Sequence, residues 1–258
     1  MGNNRMPDET NIGTPIVKRN LPPDMKDRLI VALDLQNVDE AMAIVEKLDG
    51  VVSFFKVGLW LQFAKGVDNL IAHLVGSNKK LFLDAKMFDV PETVARAVAT
   101  IAQRGASFVT VHGDENIMRA AVKAKGSSDL KVFAVTVLTS LDDPALKEMG
   151  YAHSAIDLVR LRARKAVECG CDGIIASADD RPNQIRMLAQ SEHLLIATPG
   201  IRMPNADRHD QKRIATPREA IENGADYLVV GRPIVAEKNP RQAALNIIDD
   251  MESGAKGT

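Results

Sequence analysis

Aromatic residues are scarce in this chain of 258 residues, which holds seven Phe, two Tyr and one Trp. Proteins that hold single-stranded nucleic acid stack bases on an aromatic platform, so that role is disfavoured. Cysteine is nearly absent: Cys169 and Cys171 are the only two. A pair separated by one residue gives no disulfide framework, which points to a reducing, cytoplasmic setting. Neither sign of charge dominates, with 33 Lys and Arg against 34 Asp and Glu and a formal net charge of −1. A surface built for nucleic acid carries a basic excess, and none exists here. No apolar run reaches the roughly 18 residues of a membrane span. Met1 to Asp27 lacks the apolar core of a secretory signal. What is present is an ordinary soluble balance, 45% hydrophobic and 26% charged, in a length that suits one large domain or two small ones.

Residues 1–27 are polar and rich in Gly, Pro and Asn, and are expected to form a disordered leader. From Arg28 to the end, residues 28–258, one pattern recurs. A short aliphatic run ends in polar residues and is followed by an amphipathic stretch. The runs are Leu29–Leu33, Ser53–Val57, Lys80–Leu83, Phe108–Val111, Val132–Leu138, Gly173–Ala176, Leu194–Ala197 and Tyr227–Val230. Most are continuous rather than alternating, as in parallel strands covered on both faces. Between them, Ala41, Ile44, Val45 and Leu48 share one helical face, as do Val94, Ala97, Val98, Ile101 and Ala102. Pro91 and Pro217 suit a first helical turn, and Gly105 and Gly170 suit helix ends. Eight such units predict a single (β/α)8 TIM barrel, for which about 250 residues is typical. A doubly wound open sheet competes, but it shows a Gly-rich turn after its first strand. Here that turn reads Leu35-Gln36-Asn37-Val38. Two strand-to-helix intervals are long, Leu141 to Ser154 and Ile201 to Ile214, and both would lie on the catalytic face as candidate lids.

The residues that end these runs carry the chemistry. Asp34 ends the first, Lys56 the second, and Asp84-Ala85-Lys86 with Asp89 the third; His112 ends the fourth and Thr139-Ser140 the fifth. In a barrel these positions converge on one mouth. Side chains alternate along a strand, so Asp84 and Lys86 point the same way and should touch, with Asp34, Lys56 and Asp89 as candidates to join them. Unrelated structural ion pairs are the plainer alternative, yet crowded charges cost desolvation unless paired. A Lys held by carboxylates stays protonated and suits a proton donor; an imine-forming Lys wants an apolar or cationic setting. Across the mouth, Thr198-Pro199-Gly200-Ile201-Arg202 and Gly231-Arg232-Pro233 follow strands seven and eight, where barrels bind phosphate. Gln211 could close over the anion, and the alternative for Gly-Arg-Pro is a simple turn.

The segment Asp84-Ala85-Lys86-Met87-Phe88-Asp89-Val90-Pro91-Glu92-Thr93 resembles the Asp-x-Lys-x-x-Asp-Ile-Pro-x-Thr signature of the orotidine 5′-monophosphate decarboxylase family. Val31-Ala32-Leu33-Asp34, Lys56-Val57-Gly58, Val137-Leu138-Thr139-Ser140, Thr198–Arg202, Asp210-Gln211-Lys212-Arg213 and Gly231-Arg232-Pro233 resemble its other motifs in order. Phe88 stands where many members have His, Glu92 where many have Asn, and Val90 replaces the commoner Ile. The resemblance implies conversion of orotidine 5′-monophosphate to uridine 5′-monophosphate and carbon dioxide, the last step of UMP synthesis, with no metal and no organic cofactor. It implies that Lys86 protonates the carbon that loses the carboxylate and that Asp84 lies beside that carboxylate. Asp89 and Thr93 would be contributed across a homodimer interface. Asp34 and Lys56 would bind the ribose hydroxyls, and Thr139 and Ser140 would read the pyrimidine edge. Arg202, Gln211, Gly231 and Arg232 would hold the phosphate. No nucleic-acid polymer and no membrane is implied as a partner.

Metal-dependent 3-keto-gulonate-phosphate decarboxylases and hexulose-phosphate synthases share a similar Asp-x-Lys-x-x-Asp strand but lack the Pro-x-Thr continuation, here Pro91 and Thr93. A barrel that only binds a nucleotide is the rival from another class, opposed by the intact acid–lysine–acid array. Cys169-Gly170-Cys171 has no second cluster to complete a metal site and is expected to be a helix-end turn.

Overall fold

The computed structural model describes residues 19–204 and 214–256. Eight parallel strands close into a barrel in sequence order: β1 (Leu29–Ala32), β2 (Phe54–Gly58), β3 (Lys80–Met87), β4 (Phe108–His112), β5 (Lys131–Val135), β6 (Gly173–Ile175), β7 (Leu195–Thr198) and β8 (Tyr227–Val230). β8 pairs with β1 through Leu29–Leu228, Ile30–Val229 and Val31–Val230, which leaves no edge. The helices are α1 (Val38–Lys47), α2 (Leu59–Gln62), α3 (Val67–Gly76), α4 (Pro91–Gln103), α5 (Glu115–Lys125), α6 (Asp143–Glu148), α7 (Ala155–Glu168), α8 (Pro182–Ala189), α9 (Pro217–Glu222), α10 (Arg232–Val235) and α11 (Pro240–Ala255). The expected (β/α)8 barrel is the fold.

Local chemistry starts the helices where the chain punctuation predicts. Asn37 caps α1 by accepting the Glu40 N–H, and Asp114 caps α5. Pro91 and Pro217 occupy first turns, the latter behind a Thr216–Glu219 capping box. Gly105 and Gly170 follow helix ends with φ of 76° and 78°, and Cys169-Gly170-Cys171 is the turn that leaves α7. Ala41, Ile44, Val45 and Leu48 are buried against the barrel wall. Outward strand residues and inward helix faces make one core layer, and the barrel interior makes a second. The few aromatics are concentrated there. Phe54, Phe82, Phe108, Phe133 and Tyr227 fill the lower barrel, with Phe108 at 4.8 Å from Phe54, 4.5 Å from Phe133 and 5.1 Å from Tyr227. Such rings combine large buried area with edge and stacking contacts, and they give the mouth a solid floor.

Three expectations need correction. The third strand does not stop at Leu83 but runs on to Met87, which pairs again with Val111 of β4 beyond Asp84, Ala85 and Lys86. The fifth ends at Val135 rather than Leu138, after which the Thr136 hydroxyl donates to the Ile175 carbonyl at 2.7 Å. The expected leader also ends too late. Residues 1–18 lie outside the described residues, but the segment from Arg19 is bound to the barrel base. Leu21 packs on the interior core, and Met25–Arg28 form a 3-10 turn.

Asp226 organises that base. It is 1% exposed. Its carboxylate pairs with the equally buried Arg186 and with Arg19 at 3.0 Å, and accepts the Ile196 N–H at 2.8 Å. Arg186 also donates to the Leu194 and Gly224 carbonyls at 2.9 and 2.7 Å, and Arg28 to the Asp226 and Ala225 carbonyls at 2.7 and 3.0 Å. Breaking a buried pair leaves an uncompensated charge, which costs about 3–5 kcal/mol. Asp226→Ala is therefore expected to lower unfolding stability by about that amount in urea titration; a loss below about 1 kcal/mol, the value of a surface pair, would contradict the role given to this network.

Candidate active site

A cavity of about 480 Å³ opens at the carboxyl ends of the strands, the face on which barrel enzymes build their sites. Its size is within the range of small-molecule pockets. Asp34, Lys56, Asp84, Lys86, Thr139, Ser140, Arg202, Gly231 and Arg232 line it, with Gly231 just past the end of β8 standing beside Ala32 and Asp34 of the neighbouring strand end. Strand closure brings the first four together. In register, Ala32 of β1 pairs with Lys56 of β2, and Gly58 of β2 with Asp84 of β3.

The four side chains form an alternating line. Asp34 holds Lys56 Nζ through Oδ1 at 3.0 Å and Oδ2 at 3.2 Å. Lys56 Nζ reaches Asp84 Oδ2 at 3.3 Å, and Lys86 Nζ reaches the same oxygen at 2.7 Å. Asp84 Oδ1 accepts the Thr110 hydroxyl at 2.8 Å. Lys56 and Asp84 are buried, whereas Lys86 and Asp34 reach the open cavity. Burial penalises the Lys56 ammonium, but Asp84 and Asp34 together outweigh it and hold its pKa above the ordinary lysine value. Burial likewise opposes ionisation of Asp84, yet Lys56, Lys86 and the Thr110 hydrogen bond carry its pKa below the ordinary carboxylate value. Both groups keep their charges throughout the neutral range.

The wall also depends on a missing side chain. A Cβ on Gly58 would stand 2.2 Å from Asp34 Oδ1 and 3.1 Å from Lys56 Nζ, so only glycine leaves this pair room to close.

Nine of the twelve residues singled out from the sequence line the cavity. Asp89 and Thr93 do not: both are exposed near the start of α4, and Asp89 Oδ1 accepts the Val90 N–H at 2.6 Å. The expectation from strand position that Asp89 would join the array is not met within one chain, because the backbone turns into α4 after Met87. Gln211 lies outside the described residues. His112 lies against Phe88 with ring centroids 4.4 Å apart and planes tilted by 44°, and among the described residues its buried Nδ1 has no hydrogen-bond partner. Burial, then Arg162, lower its pKa against the opposing pull of Asp114. Sequence reasoning missed Thr110, whose only signal is a hydroxyl inside the run Phe108-Val109-Thr110-Val111. Among the described residues, no group of three or more His, Cys, Asp or Glu is arranged to hold a metal ion, and no helix is long and apolar enough to cross a membrane.

Known proteins resemble this chain over most of its length. Residues 27–247 match the model of the orotidine 5′-phosphate decarboxylase / HUMPS family. A protein named orotidine 5′-phosphate decarboxylase from Nitrobacter winogradskyi is 49% identical over 88% of this chain and 93% of its own length. One of the same name from Caulobacter vibrioides is 48% identical over 87% and 97%. A crystal structure of orotidine 5′-phosphate decarboxylase from Lactobacillus acidophilus matches with a TM-score of 0.76 at 33% identity, covering 87% of this chain and 99% of that one. Fold and relatives define a (β/α)8-barrel carboxy-lyase. More particularly, the chain belongs to the orotidine 5′-phosphate decarboxylase / HUMPS family.

Proposed function

We propose that this enzyme decarboxylates orotidine 5′-monophosphate to uridine 5′-monophosphate, the closing step of UMP synthesis, with Lys86 as proton donor and without metal or organic cofactor. The observation that carries the reading is the Lys86 ammonium, 2.7 Å from Asp84 at the open end of an alternating array. The bond between the ring carbon and its carboxylate breaks, carbon dioxide leaves, and the electron pair stays on the ring carbon. Lys86 gives that carbon a proton and is itself reprotonated from solvent. A pre-placed ammonium stabilises negative charge as it develops, with no reorganisation at the moment of reaction. Asp84 fixes the ammonium and faces the departing carboxylate.

In this reading Asp34 and Lys56 meet the ribose hydroxyls, Thr139 and Ser140 the pyrimidine edge, and Arg202, Gln211, Gly231 and Arg232 the phosphate. The last assignment is supported by Gly231 standing directly before α10 in the lining of the cavity, together with Arg202 and Arg232. Binding energy from a group away from the reacting carbon can be expressed in the transition state. Cofactor-free chemistry is supported by Asp34 and Asp84, whose carboxylates are already engaged by Lys56, Lys86 and Thr110. The catalytic unit is the barrel, acting as a cytoplasmic homodimer in which Asp89 and Thr93 serve the partner's site. Their position off their own cavity supports this, as do Trp60, Phe63, Phe88 and Val90, each more than half exposed on or beside α2 and α4.

Lys86→Ala is expected to abolish turnover of orotidine 5′-monophosphate, followed by ultraviolet absorbance, while leaving UMP binding intact. The unaltered enzyme should keep full activity in excess chelator. Near-normal turnover by the variant removes the donor role, and chelator-sensitive turnover removes the cofactor-free reading. Arg232→Ala should weaken UMP strongly and uridine little in calorimetry, and equal weakening of both would reject the phosphate assignment. Mixing Lys86→Ala with Asp89→Ala subunits should restore part of the activity, since one mixed site then holds both native residues. Two inactive variants that stay inactive after subunit exchange would count against shared sites.

A further inference from the structure

β3 and β4 do not stay in step. Leu83 pairs with Val109 and Met87 with Val111, so three residues of β3, Asp84, Ala85 and Lys86, face the single residue Thr110. On its other side Thr110 keeps ordinary register with Phe133 of β5. The irregularity therefore belongs to β3. Bulges of this kind re-aim side chains and recur beside active sites. Here the bulge forces Lys86 to φ of 45°, a left-handed conformation that lysine rarely adopts. Such strain costs about 1–3 kcal/mol and persists only where the surroundings over-determine it. It also takes the Lys86 N–H out of the ladder, so that group needs another acceptor.

Thr110 meets both needs with one oxygen. It is fully buried in β4, two residues beyond the interior Phe108. Its Oγ1 accepts the Lys86 backbone N–H at 2.9 Å and donates its only hydrogen to Asp84 Oδ1 at 2.8 Å. The other Asp84 oxygen holds the Lys86 ammonium. Lys86 is thus fixed at both ends, its backbone directly by Thr110 and its ammonium by a carboxylate that Thr110 orients. Thr110 itself does not line the cavity.

We propose that Thr110 is the positioning residue for Lys86, its single hydroxyl locking the lysine's strained backbone and the Asp84 carboxylate into one geometry. The inference rests on the donor role proposed above for Lys86. A long lysine side chain has several rotamers, and productive chemistry needs its nitrogen held to within about 0.5 Å. Without the hydroxyl, Asp84 Oδ1 and the Lys86 N–H both lose their partner, and the ammonium samples other positions.

The test is steady-state kinetics with orotidine 5′-monophosphate on Thr110→Val, Thr110→Ala and Thr110→Ser, with UMP affinity and circular dichroism measured in parallel. Val and Ala should lower kcat by about 10–100-fold, the range seen when groups that orient metal ligands are removed. KM and UMP affinity should stay nearly constant, since Thr110 makes no contact with the cavity. Ser keeps the hydroxyl and should recover most of kcat. Val and Ala variants that turn over at the wild-type rate overturn the inference, as does a Ser variant as slow as Val. Failure of both Val and Ala to fold also overturns it, because the hydroxyl then serves the fold rather than the lysine. Lys86→Ala is the control: if it retains turnover, the donor role itself fails. If it is inactive while the Thr110 variants are normal, only the inference about Thr110 fails.

Discussion

Asp84 is a buried carboxylate with two ammonium groups and one hydroxyl on its two oxygens, and the mouth of the barrel is arranged around keeping it charged. A lone carboxylate at that depth would take up a proton rather than bear the loss of water. Lys56 prevents this from β2 and Lys86 from β3, and Asp34 in turn supports Lys56 from the end of β1. The line of charges requires these strands to be neighbours in one register, so barrel closure is a condition of the chemistry as well as of the fold. Gly58 belongs to the same constraint, since a Cβ there would push Asp34 off the lysine.

The two ends of the barrel hold charge in different ways. At the base, the buried Asp226 carboxylate is held by the equally buried Arg186, by the partly exposed Arg19 and by the Ile196 N–H, while Arg28 donates to the Asp226 carbonyl. At the mouth, the line of charges ends at Lys86, paired with Asp84 and open on its other side to a cavity of about 480 Å³ that the arginines at positions 202 and 232 also line. Between them sits the aromatic plug around Phe108. A rigid floor of this kind lets the upper strand ends tolerate a bulge and a left-handed lysine, because the strain is confined to a segment whose neighbours cannot move away. The near-neutral composition hides this segregation into a closed ionic base and an open, reactive rim.

Much of this was legible from local pattern. Continuous aliphatic runs at regular spacing announced parallel strands, and Pro91, Pro217, Gly105 and Gly170 marked helix ends. Asp34, Lys56, Asp84, Lys86, Thr139, Ser140, Arg202, Gly231 and Arg232 stood out because polar residues terminating such runs must converge in a barrel. Other features left little local trace. Thr110 reads as one more β-branched residue in a strand, and Asp226 as a polar residue before one. The segment from Arg19 to Asp27 has the composition of a disordered leader, yet Asp226 just before β8, Ser53 and the interior core hold it in place.

The sequence alone thus determined the repeat, the parallel sheet and the kinds of side chain at the mouth, since periodicity and strand-end polarity are properties of neighbouring residues. Only the tertiary structure decided which of those side chains meet. The pairing of Asp34 with Lys56 and the capture of Lys86 by Thr110 both depend on register between separate strands. That register is set by closing eight strands on a packed aromatic interior, a long-range condition that no short stretch of sequence contains.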